Sequence, residues 1–488
     1  MDILKNLDLT EYRVVKKVKE EFKTVDRGQL TEDSVNKVKS EKLKVESCEE
    51  GYKKTEVGII PKEWDAINVG ELVTTLKSGL SRSLKDEDVG IPCIRSNNIK
   101  NNRLVLDELK YWFRVDNKGA KIEDYILEKG DIIINFINSV SQIGKGCIFD
   151  QDDFETIYTT NLLRIKVNEA KINNKFFHYY TQTEKYKKEV GLITKPAVNQ
   201  ASFTTVEYKA IKFPVPSLKE QQKIAEILST VDSQIDDADK LIEKTKELKK
   251  GLMQRFLTKG IGHTGFKKTE IGEIPVEWEV KKVDELVRLL KSGLSRSLKE
   301  ENVGIPCIRS NNIKDNRLVL NDLKYWYEID DKGANIEDYI LKEGDIVINF
   351  INSISQIGKG CIFDREDFRS IYTTNILRIQ VDDTKITNKF FNYYTQTERY
   401  KKEISLITKP AVNQASFTTV EYKAINFPVP KLEEQQKISN ILSSVDTQIE
   451  EYENKKAKLE ELKKGLMQQL LTGKIRTIHN LELNNCEL

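Results

Sequence analysis

The chain has 488 residues, 39% apolar and 32% charged, and 79 Lys and Arg against 77 Asp and Glu leave a formal net charge of +2. That length excludes a single ordinary domain, and the apolar share excludes a wholly disordered chain. A balance so close to zero excludes a globally basic nucleic-acid binder, so any phosphate-binding charge has to be concentrated locally. No apolar run approaches the roughly 18–20 residues that cross a bilayer. The opening MDILKNLDLTEYRVVKK also lacks the basic-then-apolar layout of a secretory leader, so a cytoplasmic protein with no membrane partner is expected. Cysteine usage agrees: Cys93 answers to Cys307 and Cys147 to Cys361, with Cys48 and Cys486 near the two ends. No CxxC pair occurs and the three histidines have no metal-ligand spacing to any cysteine, so reduced, buried thiols and no metal site are expected.

Residues 1–50 have no second copy, are rich in Lys and Glu, and read as an appended charged arm, disordered or partly helical. From Gly51 the chain repeats. GYKKTEVGIIPKEW, beginning at Gly51, returns as GFKKTEIGEIPVEW, beginning at Gly265, and the offset holds without insertion or deletion to Lys474. A period this long indicates a duplicated domain rather than a solenoid. Within the first copy ELVTTLKSG, IPCIRS, DIIINFI, GCIF, NLLRIKV and IKFPVP read as short strands set off by turn signals. One helix is expected from Asn173 to Val190, with asparagines placed to cap its start. The proline pair at 214 and 216 then ends the domain, because proline disfavours continuation on both sides.

A long helix follows. Ile224, Leu228, Val231, Ile235, Ala238 and Ile242 recur in steps of four and three, continued by Leu248, Leu252 and Phe256. The second copy places Ile438, Leu442, Val445, Ile449, Tyr452, Leu459, Leu462, Leu466 and Leu470 on the same seam, interrupted by Lys456. This is the narrow stripe of a coiled coil, and each helix is the economical partner for the other. The expected organisation is a mixed α/β domain over 51–216, a helix over 217–260, a second domain over 265–430, a second helix over 431–474 and a tail over 475–488.

The copies differ unevenly. GIPCIRSNNIK (90–100 and 304–314), SQIGKGCIFD (141–150 and 355–364) and LITKPAVNQASFTTVEYKAI (192–211 and 406–425) are unchanged. Apolar letters in these blocks are explained by a core; their polar letters are not. No GxxxxGK[ST] phosphate loop, Asn-Pro-Pro-aromatic run or Pro-Asp nuclease opening is present, and His178 becomes Asn392 in the second copy. Catalysis by this chain is therefore not expected. What remains suits the reading of base edges: Arg forks onto guanine, Asn and Gln bridge adenine, and Lys supplies the salt-sensitive phosphate contact. Four polar groups stand out, SGLSRS at 78–83, RSNNIK at 95–100, NSVSQIGK at 138–145 and TKPAVNQ at 194–200, each flanked by strand-like runs. Base reading is expected from Arg95, Asn97, Asn98, Gln142, Asn199 and Gln200, with Arg309, Asn311, Asn312, Gln356, Asn413 and Gln414 in the second copy. Phosphate contacts are expected from Lys100, Lys145 and Lys195, with Lys314, Lys359 and Lys409.

The two-copy plan, the IPxxW openings (Ile60 to Trp64, Ile274 to Trp278), the PVP-x-L-x-EQQ-x-I junctions and the endings KELKKGLMQRFLTKG and EELKKGLMQQLLTGK resemble a type I restriction–modification specificity subunit over 51–474. The resemblance implies two target-recognition domains on spacer helices that pair antiparallel. It implies double-stranded DNA, two methyltransferase subunits and two restriction–translocase subunits as partners. S-adenosylmethionine, ATP and Mg²⁺ would then belong to those partners, with no cofactor in this chain. Antiparallel pairing of near-equal helices relates the domains by a pseudo-two-fold axis. Equivalent readers then meet the same short sequence in opposite orientations, an interrupted palindrome with half-sites spaced near one DNA turn, roughly 34 Å per ten base pairs. The competing expectation is a coiled-coil adaptor carrying two protein-binding modules.

Overall fold

The structure, a computed structural model, describes residues 51–198, 200–411 and 414–477; the arm over 1–50 lies outside them, as do Cys48 and Cys486. Compactness divides the chain into two units, Met1–Ala238 with Lys455–Leu488, and Asp239–Asn454. Each unit therefore takes one mixed α/β domain together with a part of each long helix, Leu218–Lys259 and Leu432–Leu470.

Three successive isoleucines show how the first unit is layered. A strand sends alternate side chains to opposite faces. Ile132 and Ile134 enter one core with Leu163 and Ile165, while Ile133 enters another with Cys147 and Leu162. Their strand belongs to an antiparallel four-stranded sheet ordered Gly146–Ile148, Ile132–Asn135, Leu162–Val167, Val73–Ser78. The first core is closed by Phe176, Phe177 and Tyr180 and by the opening of the long helix. Beyond the second lies a three-stranded sheet of Ile157–Tyr158, Ile91–Ile94 and Lys110–Trp112, the first pair parallel. Cys93 and Cys147 are buried as free thiols, and burial pushes both up to about 12. The second unit repeats the arrangement with Val287–Ser292, Ile376–Val381, Ile346–Asn349 and Gly360–Ile362.

The expected single helix from Asn173 to Val190 is instead two, Asn174–Tyr180 and Glu184–Ile193. Threonine hydroxyls break it, because they offer the backbone a local alternative. Thr181 Oγ1 donates to the His178 carbonyl at 2.6 Å, and Thr183 Oγ1 accepts from the Tyr186 amide at 3.2 Å to begin a new helix. The cap at the start is as expected, with Asn173 Oδ1 accepting from the Phe176 amide at 3.0 Å.

Two short motifs join domain to helix. Trp64, fully buried, donates its indole N–H to Glu220 Oε2 at 3.1 Å, and Trp278 does the same to Glu434 Oε2 at 3.0 Å. The adjacent Gln221 donates to the Pro216 carbonyl at 2.8 Å and the Lys171 carbonyl at 3.1 Å, and accepts from the Asn173 amide at 2.7 Å. Gln435 makes the matching three bonds. The IPxxW opening and the EQQ junction are thus two halves of one buried joint.

Within each unit the two helical parts run antiparallel. In the first, Asp232 pairs with Lys463 at 2.8 Å and Glu220 with Arg476 at 2.7 Å, while Ile224, Leu228, Val231 and Ile235 share a core with Leu459, Leu462, Leu466 and Leu470. In the second, Lys246 pairs with Glu453 and Lys249 with Asp446, both at 2.7 Å. The seam departs from expectation at one place. Leu248 is half exposed, and the four-three spacing from Ala238 and Ile242 runs instead through Thr245 and Lys249 to Leu252 and Phe256. Lys249 extends over the Tyr393 ring at 5.5 Å while pairing with Asp446, so a charge-and-ring contact occupies the position assigned to a leucine. Among the described residues no helix is long and apolar enough to cross a membrane.

Candidate functional site

Residues far apart in sequence reach one place through a small sheet. Ile137–Asn138 and Lys195–Pro196 both pair antiparallel with Ala201–Ser202, so Asn138 and Pro196 flank Ala201. The loop after Asn138 and the hairpin after Pro196 therefore leave the same end of the sheet. The loop is held by its own backbone: the Gln142 and Ile143 amides donate to the Ser139 carbonyl, and the Gly144 amide to the Asn135 carbonyl. Gly144 takes a φ of +79°, a left-handed conformation that favours glycine. Across from this loop, Ile99–Lys100 pairs with Arg103–Leu104 through a tight turn in which Asn101 and Asn102 have φ of 51° and 60°. Asparagine tolerates that region because its short polar side chain bonds locally.

Between the two lies a cleft of about 790 Å³, whose walls include Arg95, Asn97, Lys100, Gln142 and Lys145. Its counterpart in the second unit, about 940 Å³, takes in Asn311, Lys314, Gln356 and Lys359 and extends to Thr408 and Pro410. Two polar groups separated by some forty residues of chain thus face one space, with Asn97, Lys100 and Lys145 exposed. Lys100, Lys145 and Lys314 make no ion pair among the described residues. Arg95 is partly engaged, donating through Nη2 to the Glu108 carbonyl at 2.6 Å; Arg309 donates likewise to the Asp322 carbonyl and meets the Asp322 carboxylate at 3.1 Å.

Other expected contact residues sit differently. Asn98 is buried: its Oδ1 accepts from the Arg95 amide at 3.0 Å, and its Nδ2 donates to the Val105 and Asp107 carbonyls at 3.0 and 2.9 Å. Asn312 is held in the same way by Arg309, Val319 and Asn321. Both are corrected to structural residues, since every bond a base edge would need is already made inside the fold. The SGLSRS group is corrected too. Arg82 forks onto Asp116 at 2.8 and 2.7 Å, and a side chain at Gly79 would collide with the Tyr158 carbonyl. Lys195 and Lys409 are exposed but paired with Glu207 and Glu421 at 2.7 and 2.6 Å; those bonds, with the capping hydroxyls of Thr204 and Thr418, hold each carboxyl at about 2. Gln200 and Gln414 are exposed on hairpins closed by the Ala197 and Ala411 amides, while Asn199 and Asn413 lie outside the described residues.

Sequence reasoning missed several residues of the cleft walls: Asn102 and Glu108 in the first unit and Lys401 and Gln396 in the second. The Asn-Asn pair was itself a turn signal that placed Asn102 beside Lys100. Among the described residues no group of three His, Cys, Asp or Glu side chains is placed to hold a metal ion.

His178 lies buried beside Asn102, a residue of the first cleft's wall. Burial first, and Lys463 second, push its imidazole down to about 4 from 6.5, with Asp232 and the Asn102 backbone opposing. A neutral buried histidine contributes stability above its unfolded value that is lost as pH falls toward its folded one. Relative to His178→Asn, the residue at the matching position 392, the wild-type chain should lose up to about 3 kcal/mol between pH 6.5 and 4. Parallel urea titrations read this directly, and equal slopes with pH would show that folding leaves the ring's proton affinity unchanged.

Comparison with known proteins places these features in a family. The model described as "Type I restriction modification DNA specificity domain" matches twice, at residues 61–247 and 275–461. The "Putative type I restriction enzyme MjaX specificity subunit" of Methanocaldococcus jannaschii is 32% identical over 433 residues, covering 88% of this chain and 97% of its own. The MjaVIII specificity subunit of the same organism is 28% identical, covering 88% of this chain and 96% of its own. Among solved structures, the type I restriction–modification S subunit from M. genitalium superposes with a TM-score of 0.53 at 15% identity, over 83% of this chain and 96% of that one, a likeness of fold.

Proposed function

The chain belongs to the family of type I restriction–modification DNA specificity proteins, and from that premise we propose that it is the specificity subunit of such a complex, each unit presenting its cleft to one half of a bipartite duplex site. One observation carries the reading: unchanged Asn, Gln and Lys residues of two separate sequence blocks converge on a single cleft in each unit, joined in the first by Arg95. Amides and guanidinium groups on such a wall match adenine and guanine edges, and unpaired lysines beside them match phosphates. The adaptor reading gives no reason for that convergence and is not favoured by relatives that are specificity subunits.

Methylation and cleavage then reside in partner subunits, two for modification and two for restriction, which bind S-adenosylmethionine, ATP and Mg²⁺. This chain supplies the address. Such a complex meets its DNA in the cytoplasm. The near-identity of the two cleft walls supports a site read twice in opposite orientations. A salt titration of the full-length chain against duplex DNA tests the proposal. The logarithm of affinity should fall linearly with the logarithm of salt concentration, and affinity indifferent to salt would refute it. Plasmid incubated with Mg²⁺ and this chain alone should stay intact.

Gln142→Ala and Asn98→Ala separate the two kinds of residue in this region. The first should cost about 1–3 kcal/mol of binding and relax one base position without changing the fold. The second should instead destabilise the first unit by about 1–3 kcal/mol, because it leaves buried backbone groups unpaired. Competition binding with single-base variants and urea denaturation distinguish these outcomes.

A further inference from the structure

Exposed aliphatic side chains occur on the cleft loops themselves. Val140 is 69% exposed between Asn138 and Gln142, both of which line the first cleft. Its counterpart Ile354, 70% exposed, lines the second cleft directly, beside Gln356 and Lys359. Val198 is 99% exposed at the tip of the neighbouring hairpin. Scattered aliphatics on a surface need no explanation. These lie on two loops that leave one end of a small sheet, and the substitution between copies keeps the position aliphatic and β-branched. The loop backbone is internally bonded, through the Gln142 and Ile143 amides to Ser139 and the matching Gln356 and Ile357 amides to Ser353, so it cannot fold the side chain away cheaply. Branching at Cβ further restricts the side chain to few rotamers. The protein thus holds a preorganised apolar knob on the loop that carries Asn138 and Gln142 into the first cleft, and Asn352 and Gln356 into the second.

Only one apolar group projects from base edges into the major groove, the C5 methyl of thymine. We propose that Val140, Ile354 and Val198 are specificity-determining residues that contact thymine methyl groups, so each half-site contains at least one thymine recognised by its methyl. This rests on the DNA-reading function proposed above. Amide and aliphatic side chains side by side suit an A·T pair, which offers hydrogen-bonding groups on adenine and a methyl on thymine.

The test uses the full-length chain and a duplex selected from a random pool, with each thymine replaced in turn by deoxyuridine, which removes only the methyl. At least one replacement in each half-site should weaken binding about four-fold, the worth of one buried methyl. Val140→Ala should abolish that penalty in one half-site and Ile354→Ala in the other, with Val198→Ala acting on the half-site read by the first unit. Silence at every thymine, or penalties that persist in all three variants, overturns the inference while salt-dependent duplex binding keeps the functional reading intact. Loss of affinity in the variants that is equal for thymine and uridine duplexes also overturns it, since the knob would then act on DNA shape. Absence of salt-dependent binding to any duplex removes both.

Discussion

Alanine at Lys100, Lys145, Lys314 and Lys359 together should lower affinity for every duplex by roughly three orders of magnitude at 0.1 M salt, without changing which sequence is preferred. The reasoning is electrostatic. Each lysine that neutralises a phosphate releases condensed counterions and contributes about 0.9 to the slope of log affinity against log salt, so four should flatten that slope by about 3.6. These four are chosen because they stand on the cleft walls; the first three make no ion pair among the described residues, and Lys359 reaches only Gln356 Oε1 at 3.3 Å. Lys195 and Lys409, already bound to Glu207 and Glu421, make poorer phosphate ligands, because contact with DNA would first have to break those pairs. Filter binding across a salt series measures slope and intercept together. An unchanged slope would move the phosphate contacts off the clefts.

The largest stability effect should come from Glu220→Ala, about 3–5 kcal/mol. Its side chain is fully buried and accepts from Trp64 Nε1 at 3.1 Å and from Arg476 Nε and Nη2 at 2.7 and 2.9 Å. Arg476 also reaches Glu63 at 2.7 Å, so one carboxylate ties the domain opening, the start of the first long helix and the segment after the second. Removing it strands an indole N–H and a partly buried guanidinium, which is worse than removing the whole cluster would be. The counterpart in the second unit is built from different parts. Glu434 accepts from Trp278 Nε1, the Ile261 amide and His263 Nε2, and its side chain keeps 17% exposure. Glu434→Ala should therefore cost less. Urea unfolding followed by tryptophan fluorescence compares the two, and a cost below about 1 kcal/mol for Glu220→Ala would show that Arg476 finds solvent without penalty.

Much of the architecture was legible because periodicity is read locally. The repeat, the strand runs of the four-stranded sheet and most of the seam from Ile224 to Ile242 follow from spacing alone. The failures share a physical cause, which is that side-chain direction depends on partners remote in sequence. Leu248 looked like a seam residue, but a one-residue difference in phase gives its place to Lys249, whose partners Asp446 and Tyr393 lie far along the chain. Arg82 looked free until Asp116 came beside it. Asn98 looked like a reader because it adjoins Asn97, yet in a three-residue turn adjacent side chains point apart, one outward and one into the carbonyls of Val105 and Asp107. The cleft itself was half legible: unchanged polar blocks marked its walls, but only the pairing of Ala201–Ser202 with both flanking strands shows how two of them approach.

The two clefts are nearly the same wall built twice. They differ where Asn101, Asp107, Glu108, Val140, Val190 and Gly191 of the first unit become Asp315, Asn321, Asp322, Ile354, Ile404 and Ser405 of the second, which moves a carboxylate without removing it. Equal walls should choose equal bases. The most direct measurement is selection of bound duplexes from a random pool by the full-length chain, followed by sequencing. One short sequence occurring twice, inverted about an unread spacer, is the predicted result; two half-sites with no relation to each other would contradict it.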